Sequence, residues 1–121
     1  MQEKGYKKLI AWQKADELAF QIYRITKDFP REERLGITSQ LRRAALSVPT
    51  NLAEAMGRQG KNESRHFINI ALGSVTEVEY LLGFSKRLGF LSEDVFRTLD
   101  AERQDVSNLL FGLFRSFQRD N

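Results

Sequence analysis

Along four stretches of this chain, apolar residues return every three or four positions, and that spacing constrains the fold more than any other feature. Such a period places them on one side of a helix, whereas a strand needs alternation by two. The first stretch, residues 8–28, carries Ala11, Ala15, Leu18, Ile22 and Ile25 and runs on to Phe29, with Trp12, Ala19 and Tyr23 widening the stripe. Pro30 disfavours helical geometry at the residue before it, so the helix stops there. The second, residues 38–56, carries Leu41, Ala44 or Ala45, Val48, Leu52 and Ala55, with Pro49 inside it. A mid-helix proline deletes a backbone hydrogen bond and crowds the preceding turn, so a kink or local break is expected at residues 45–49. The third, residues 63–88, aligns Phe67, Ala71, Val75, Val78, Leu82 and Ser85 before Gly89. The fourth, residues 92–118, has Ser92 as an N-cap, Glu93 and Asp94 in its first turn, and Leu91 with Phe96 as a hydrophobic staple. Leu99, Val106, Leu110, Leu113 and Phe117 continue its buried side.

The joints between these stretches are short. Residues 31–37 make a turn or irregular helix around Gly36, and in the run GRQGKN Gly57 closes helix two while Asn62 caps helix three. Short connections favour antiparallel neighbours. The expected architecture is all-α: one domain over residues 1–121, an antiparallel up-down-up-down four-helix bundle with helix two kinked near Pro49. On helix four, Leu109, Leu110, Phe111, Leu113, Phe114 and Phe117 wrap more than one side. That width means either deep burial or a second apolar surface facing a partner subunit, and oligomerisation is the favoured reading.

Several chemistries are disfavoured by residue type. The chain has no cysteine, which removes disulfides, thiolate catalysis and cysteine-held metals, and suits a reducing, cytoplasmic setting. No uninterrupted apolar run approaches the roughly 18–20 residues of a bilayer span, and the basic start MQEKGYKKLIAW has too short an apolar stretch for a signal-peptide core. His66 is the single histidine. Glu63 and His66 have the Glu-x-x-His spacing of di-iron bundles, but such sites need two of those pairs. A Ser–His–acid arrangement would also have to use His66, and neither a G-x-S-x-G elbow nor a phosphate-cradling glycine loop occurs. Glu77 and Glu79 stand two apart on a helix and diverge. The residues therefore point away from an enzyme and imply no cofactor and no metal.

Charge is more informative. Net charge is +3, and between Arg34 and Arg65 six cations face two anions. Arg42, Arg43, Arg58, Lys61 and Arg65 are the candidate nucleic-acid contacts; no aromatic–basic interleaving like that of a base-stacking module appears, so contact with backbone phosphate and little reading of base sequence is expected. Beside the apolar stripes lie Asn51 with Glu54 and Ser74 with Glu77. Half-buried carboxylates need partners, which Arg42 or Arg43 could supply, so these four residues are read as a polar lock on helix register or a subunit contact, with direct ligand contact as the alternative.

The run Gln40-Leu-Arg-Arg-Ala-Ala-Leu-Ser-Val-Pro-Thr-Asn-Leu-Ala-Glu54, then Gly57-Arg58, then Phe67-x-x-x-Ala71-x-Gly73-Ser74-x-x-Glu77, resembles the four-helix-bundle family of bacterial 23S ribosomal RNA intervening-sequence proteins. Trp12, Leu18, Tyr23, Phe29-Pro30 and Leu88-Gly89-Phe90-Leu91 fit the same pattern. One departure is Ala55, where the family usually has glycine; alanine favours continued helix by roughly 1 kcal/mol. The resemblance implies a homopentamer. It also implies kinship with the accessory variability proteins of diversity-generating retroelements, which bind nucleic acid and a reverse transcriptase. The resulting expectation is a non-catalytic, oligomeric, nucleic-acid-associated scaffold binding RNA or DNA. The alternative is a protein-interaction scaffold or accessory subunit for a partner such as a reverse transcriptase.

Overall fold

The structure is a computed structural model and describes residues 5–118. Its four long helices are α1 (Ile10–Thr26), α2 (Ile37–Met56), α3 (Lys61–Arg87) and α4 (Glu93–Gln118), with short 3-10 turns at Gly5–Lys8 and Arg31–Glu33. No strand occurs among the described residues. Each helix packs on its sequence neighbours, and α1 also packs on α4, closing the four into a ring. This is a four-helix bundle.

The stripes account for the core. Leu18 and Ile22 of α1, Leu41, Val48 and Leu52 of α2, Ile68, Val78 and Leu82 of α3, and Val106 and Leu110 of α4 are almost wholly buried. Burying a side chain of this kind contributes about 1.5–3 kcal/mol. α3 is long and apolar enough to cross a membrane by length and composition alone. Small and polar residues break that stretch, which is why no uninterrupted apolar run marks it. In the structure α3 packs between α2 and α4, with Ala71, Val75, Val78 and Leu82 in the core.

Helix ends are set by local chemistry. At the end of α1 the bonding tightens to i→i+3, with the amides of Lys27, Asp28 and Phe29 donating to the carbonyls of Arg24, Ile25 and Thr26. α1 therefore closes at Thr26, ahead of residue 28. α2 runs through Pro49 as one uninterrupted helix, so the local break at residues 45–49 does not occur. Gly36 precedes α2, and a Cβ there would meet Glu33 Oε1 at 2.8 Å; that oxygen instead accepts from the Ile37 amide at 3.4 Å. Gly57 ends α2 with φ −90°, an ordinary helical value. α3 starts at Lys61 behind Gly60, so Asn62 lies inside the first turn and is not the cap. The reason is tertiary: Ser64 in that turn donates its hydroxyl to the Ala55 carbonyl at 2.8 Å and docks it on the end of α2.

At the other end of α3, Gly89 adopts φ +82°, the left-handed region that favours glycine. Its amide donates to Lys86 and that of Phe90 to Ser85, both at 2.9 Å, the paired bonds of a Schellman close. Ser92 Oγ then accepts the Val95 amide at 3.2 Å and caps α4. Phe29 in the first joint stacks on Phe90 in the third, 5.3 Å between ring centroids. The first and third joints thus share one end of the bundle, and the α2–α3 joint lies at the other.

Candidate nucleic-acid interface

The end of the bundle that holds the α2–α3 joint is basic. Arg58 and Lys61 lie in the joint or directly after it, Arg65 is one turn into α3, and the 3-10 turn carrying Lys7 and Lys8 packs on α2. The antiparallel course of α4 brings Arg115, in its last turn, to the same end. Among the described residues these six cations outnumber the acidic Asp16, Glu54 and Glu63 there. The opposite end is mixed, with Glu93 bridging Lys86 at 2.8 Å and Arg97 at 3.1 Å. Hydrogen bonds from Lys86 and Arg97 hold the Glu93 carboxyl below its ordinary range.

Two further features make the basic end suited to anions. Gly60, the residue before α3, offers no side-chain cap, so the first amides of that helix point outward with the positive end of its dipole. A depression of about 630 Å³ lies over them, lined by residues 57–63. Arg58 is held in place at its edge: Nη2 bonds Glu54 Oε2 at 2.5 Å, and the guanidinium lies 4.8 Å from the centroid of the Phe67 ring. Arg65 Nη2 donates to Asn62 Oδ1 at 2.9 Å. Lys61 is exposed.

Arg42 and Arg43 do not join them. Arg42 donates from Nε to Thr26 Oγ1 at 2.7 Å and from Nη2 to the Tyr23 carbonyl at 3.1 Å, with its guanidinium over the Tyr23 ring. It therefore pins the C-terminal turn of α1, where carbonyls and dipole both favour a cation. Arg43, next in sequence, is exposed along the body of α2, about four turns from the joint.

The polar residues between α2 and α3 also sort in two. Ser47 Oγ receives a bond from Asn51 Nδ2 at 2.9 Å and one from Ser74 Oγ at 2.8 Å, so Asn51 and Ser74 meet through it. Glu54 lies outside this network on Arg58, and Glu77 is exposed on α3. Neither carboxylate takes Arg42 or Arg43 as partner, because Glu54 on α2 and Glu77 on α3 both face water, where ionisation costs little. Sequence reasoning passed over Ser47, one turn before Asn51. It also missed Arg103, only 5% exposed, which donates from Nε and Nη2 to Asp100 Oδ1 at 3.0 and 2.8 Å and lies 3.5 Å from Glu79 Oε2. The signal was available: Arg103 occupies the stripe position between Leu99 and Val106.

No cluster of three or more acidic or histidine side chains among the described residues is placed to hold a metal ion. His66 is exposed and meets the edge of Phe67, 5.3 Å between centroids.

Residues 7–112 match the family model of the 23S rRNA-intervening sequence protein. The chain belongs to that family. A crystal structure from Bacteroides thetaiotaomicron, of a protein with unknown function from the S23 ribosomal protein family, superposes with a TM-score of 0.82 at 22% identity. The match covers 88% of this chain and 96% of that one, and at such identity it shows the shared fold alone. No curated protein matches the chain. The superposition shows a fold shared with a protein of unknown function.

Proposed function

We propose that this member of the 23S rRNA-intervening sequence protein family is a non-catalytic, oligomeric scaffold that binds the backbone of RNA or DNA through its basic end. The observation that carries the reading is the convergence of Arg58, Lys61 and Arg65 with the uncapped start of α3 at one end of the bundle. Backbone amides at a helix start and flanking cations are what phosphate oxygens require. The family's name, which ties it to ribosomal RNA, fits the same class of partner. Arg42 serves the fold, and Arg43 lies outside this basic end.

Assembly multiplies the effect. Phe111 on α4 is 49% exposed, and Leu109, Leu113, Phe114 and Phe117 are only half-buried. A second copy packed against Phe111 would remove that ring from water, and a pentamer, the state implied by family resemblance, would repeat the basic end five times as one multivalent surface. The setting we propose is cytoplasmic, in keeping with a chain that has no cysteine.

A second reading, a scaffold for a protein partner such as a reverse transcriptase, is favoured by the engagement of Arg58 with Glu54 and of Arg65 with Asn62. Charge reversal separates the two: replace Arg58, Lys61 and Arg65 together by glutamate, and confirm fold by circular dichroism and assembly by light scattering. Loss of nucleic-acid retention with both intact supports the first reading. Retention at wild-type strength refutes it.

A further inference from the structure

The linear sequence shows no interleaving of aromatic and basic residues, yet the fold builds such a pairing. The N-terminal 3-10 turn lays Tyr6 against Trp12 at the start of α1, with ring centroids 5.0 Å apart and planes at 71°. Both rings line an open groove of about 580 Å³ between α1 and α2, with Leu46, Thr50, Arg58 and its ion-pair partner Glu54 also in the lining. Asp16 lines it too, one turn along α1 from Trp12. It makes no hydrogen bond or ion pair among the described residues. Gly57 and Arg58 line both this groove and the depression over the start of α3, so the two lie side by side.

We propose that this groove takes an unpaired guanine base of a single-stranded nucleic acid. The proposal rests on the nucleic-acid reading above and adds a base preference to it. A ring of the groove offers the flat apolar surface on which an unstacked base lies, as in other single-strand binders. The carboxylate selects among bases. Ionised Asp16 is an acceptor with two oxygens, so it matches two donors side by side. Guanine alone presents them, N1–H next to the N2 amine, on its Watson–Crick edge. Adenine and cytosine set a single amine beside a ring-nitrogen acceptor, and uracil flanks its one N–H with two carbonyls. Asp16 also repels phosphate, which fixes polarity: the base enters toward Asp16, and its phosphate stays with Arg58 and the start of α3. Arg58 is held there by Glu54 and Phe67.

Trp12 is the chain's single tryptophan, so its emission reports on the groove without interference. The probes are short uridine oligonucleotides with one central guanosine, inosine or adenosine, an all-uridine control and a duplex of equal length, each end-labelled for anisotropy. The guanosine probe should bind on the order of tenfold more tightly than the adenosine one and quench Trp12, with inosine, which lacks the N2 amine, losing most of that gain. Asp16→Asn should erase the guanosine preference and, by removing a charge that repels phosphate, leave the affinity for the all-uridine probe no weaker than wild type; Asp16 is exposed, so the fold tolerates the change. Equal affinity for all probes with Trp12 emission unmoved, or a guanosine preference that survives Asp16→Asn, overturns the groove assignment and leaves backbone binding standing. Absence of anisotropy change with every probe overturns both.

Discussion

Removing Asp100 should destabilise the bundle more than removing the buried arginine it serves. Arg103 has 6% of its side chain exposed, while Asp100 and Glu79 are 33% and 55% exposed. Asp100→Ala deletes both short bonds to the guanidinium and leaves Glu79 Oε2, at 3.5 Å, as the remaining carboxylate. Breaking a fully buried pair by removing one partner costs about 3–5 kcal/mol. Solvent reaches Asp100 and Glu79 here, so the cost falls to about 1.5–3 kcal/mol. Arg103→Met keeps an apolar stem along the seam between α3 and α4 and removes the charge that needed a partner. It should cost less than about 1 kcal/mol. In the double variant, Asp100→Ala should add almost nothing to Arg103→Met, a coupling of at least about 1 kcal/mol. Urea unfolding of the four proteins at one concentration measures this through the midpoint at constant m-value. If Arg103→Met is as damaging as Asp100→Ala, or the two effects simply add, then Arg103 acts by packing and the charge argument is wrong.

Three smaller predictions concern single groups. Glu102 sits on the seam between α1 and α4 with Oε1 buried and unbonded, and desolvation, followed by the charge of Glu17, raises its carboxyl above the ordinary range, with Lys14 opposing and Asp105 adding. The folded state then holds the proton more tightly than the unfolded one, so this group lowers stability as pH rises from the usual carboxylate range through the raised value. Glu102→Gln should therefore unfold at higher urea than wild type at pH 7, with the gap closing below about pH 4; a gap that widens in acid contradicts the assignment. Ser92→Ala removes the cap of α4 and should cost about 1 kcal/mol, a fall of several degrees in Tm by calorimetry. Thr38 Oγ1 is buried without a partner, so Thr38→Val should be neutral or stabilise by about 0.5–1 kcal/mol in the same urea assay.

What was legible in the sequence is what short-range physics decides. The stripes from Ala11 to Phe29 and from Leu99 to Phe117 locate helices because one period governs each, and Ser92 and Gly89 mark ends because their bonds span only a few residues. The unread features depend on neighbours distant in sequence. Asn62 has the chemistry of a cap, but the Ser64 bond to Ala55 draws α3 two residues further back. Arg42 looks like a surface cation until α1 is beside it, 16 residues away at Thr26. The groove behind the base-binding proposal joins Tyr6 and Trp12 to Arg58, residues that only the pairing of α1 with α2 brings together.

Phosphate binding at the basic end is tested most directly by its response to salt. Anisotropy of a labelled single-stranded RNA, titrated with wild-type protein from low to physiological ionic strength, gives log K against log salt. With several phosphates held per assembly, the slope should be steep, about −0.7 for each contact, and it should flatten when Arg58, Lys61 and Arg65 are replaced. A slope near zero, or no detectable binding at the lowest salt, would contradict the reading of the basic end as a phosphate-binding surface.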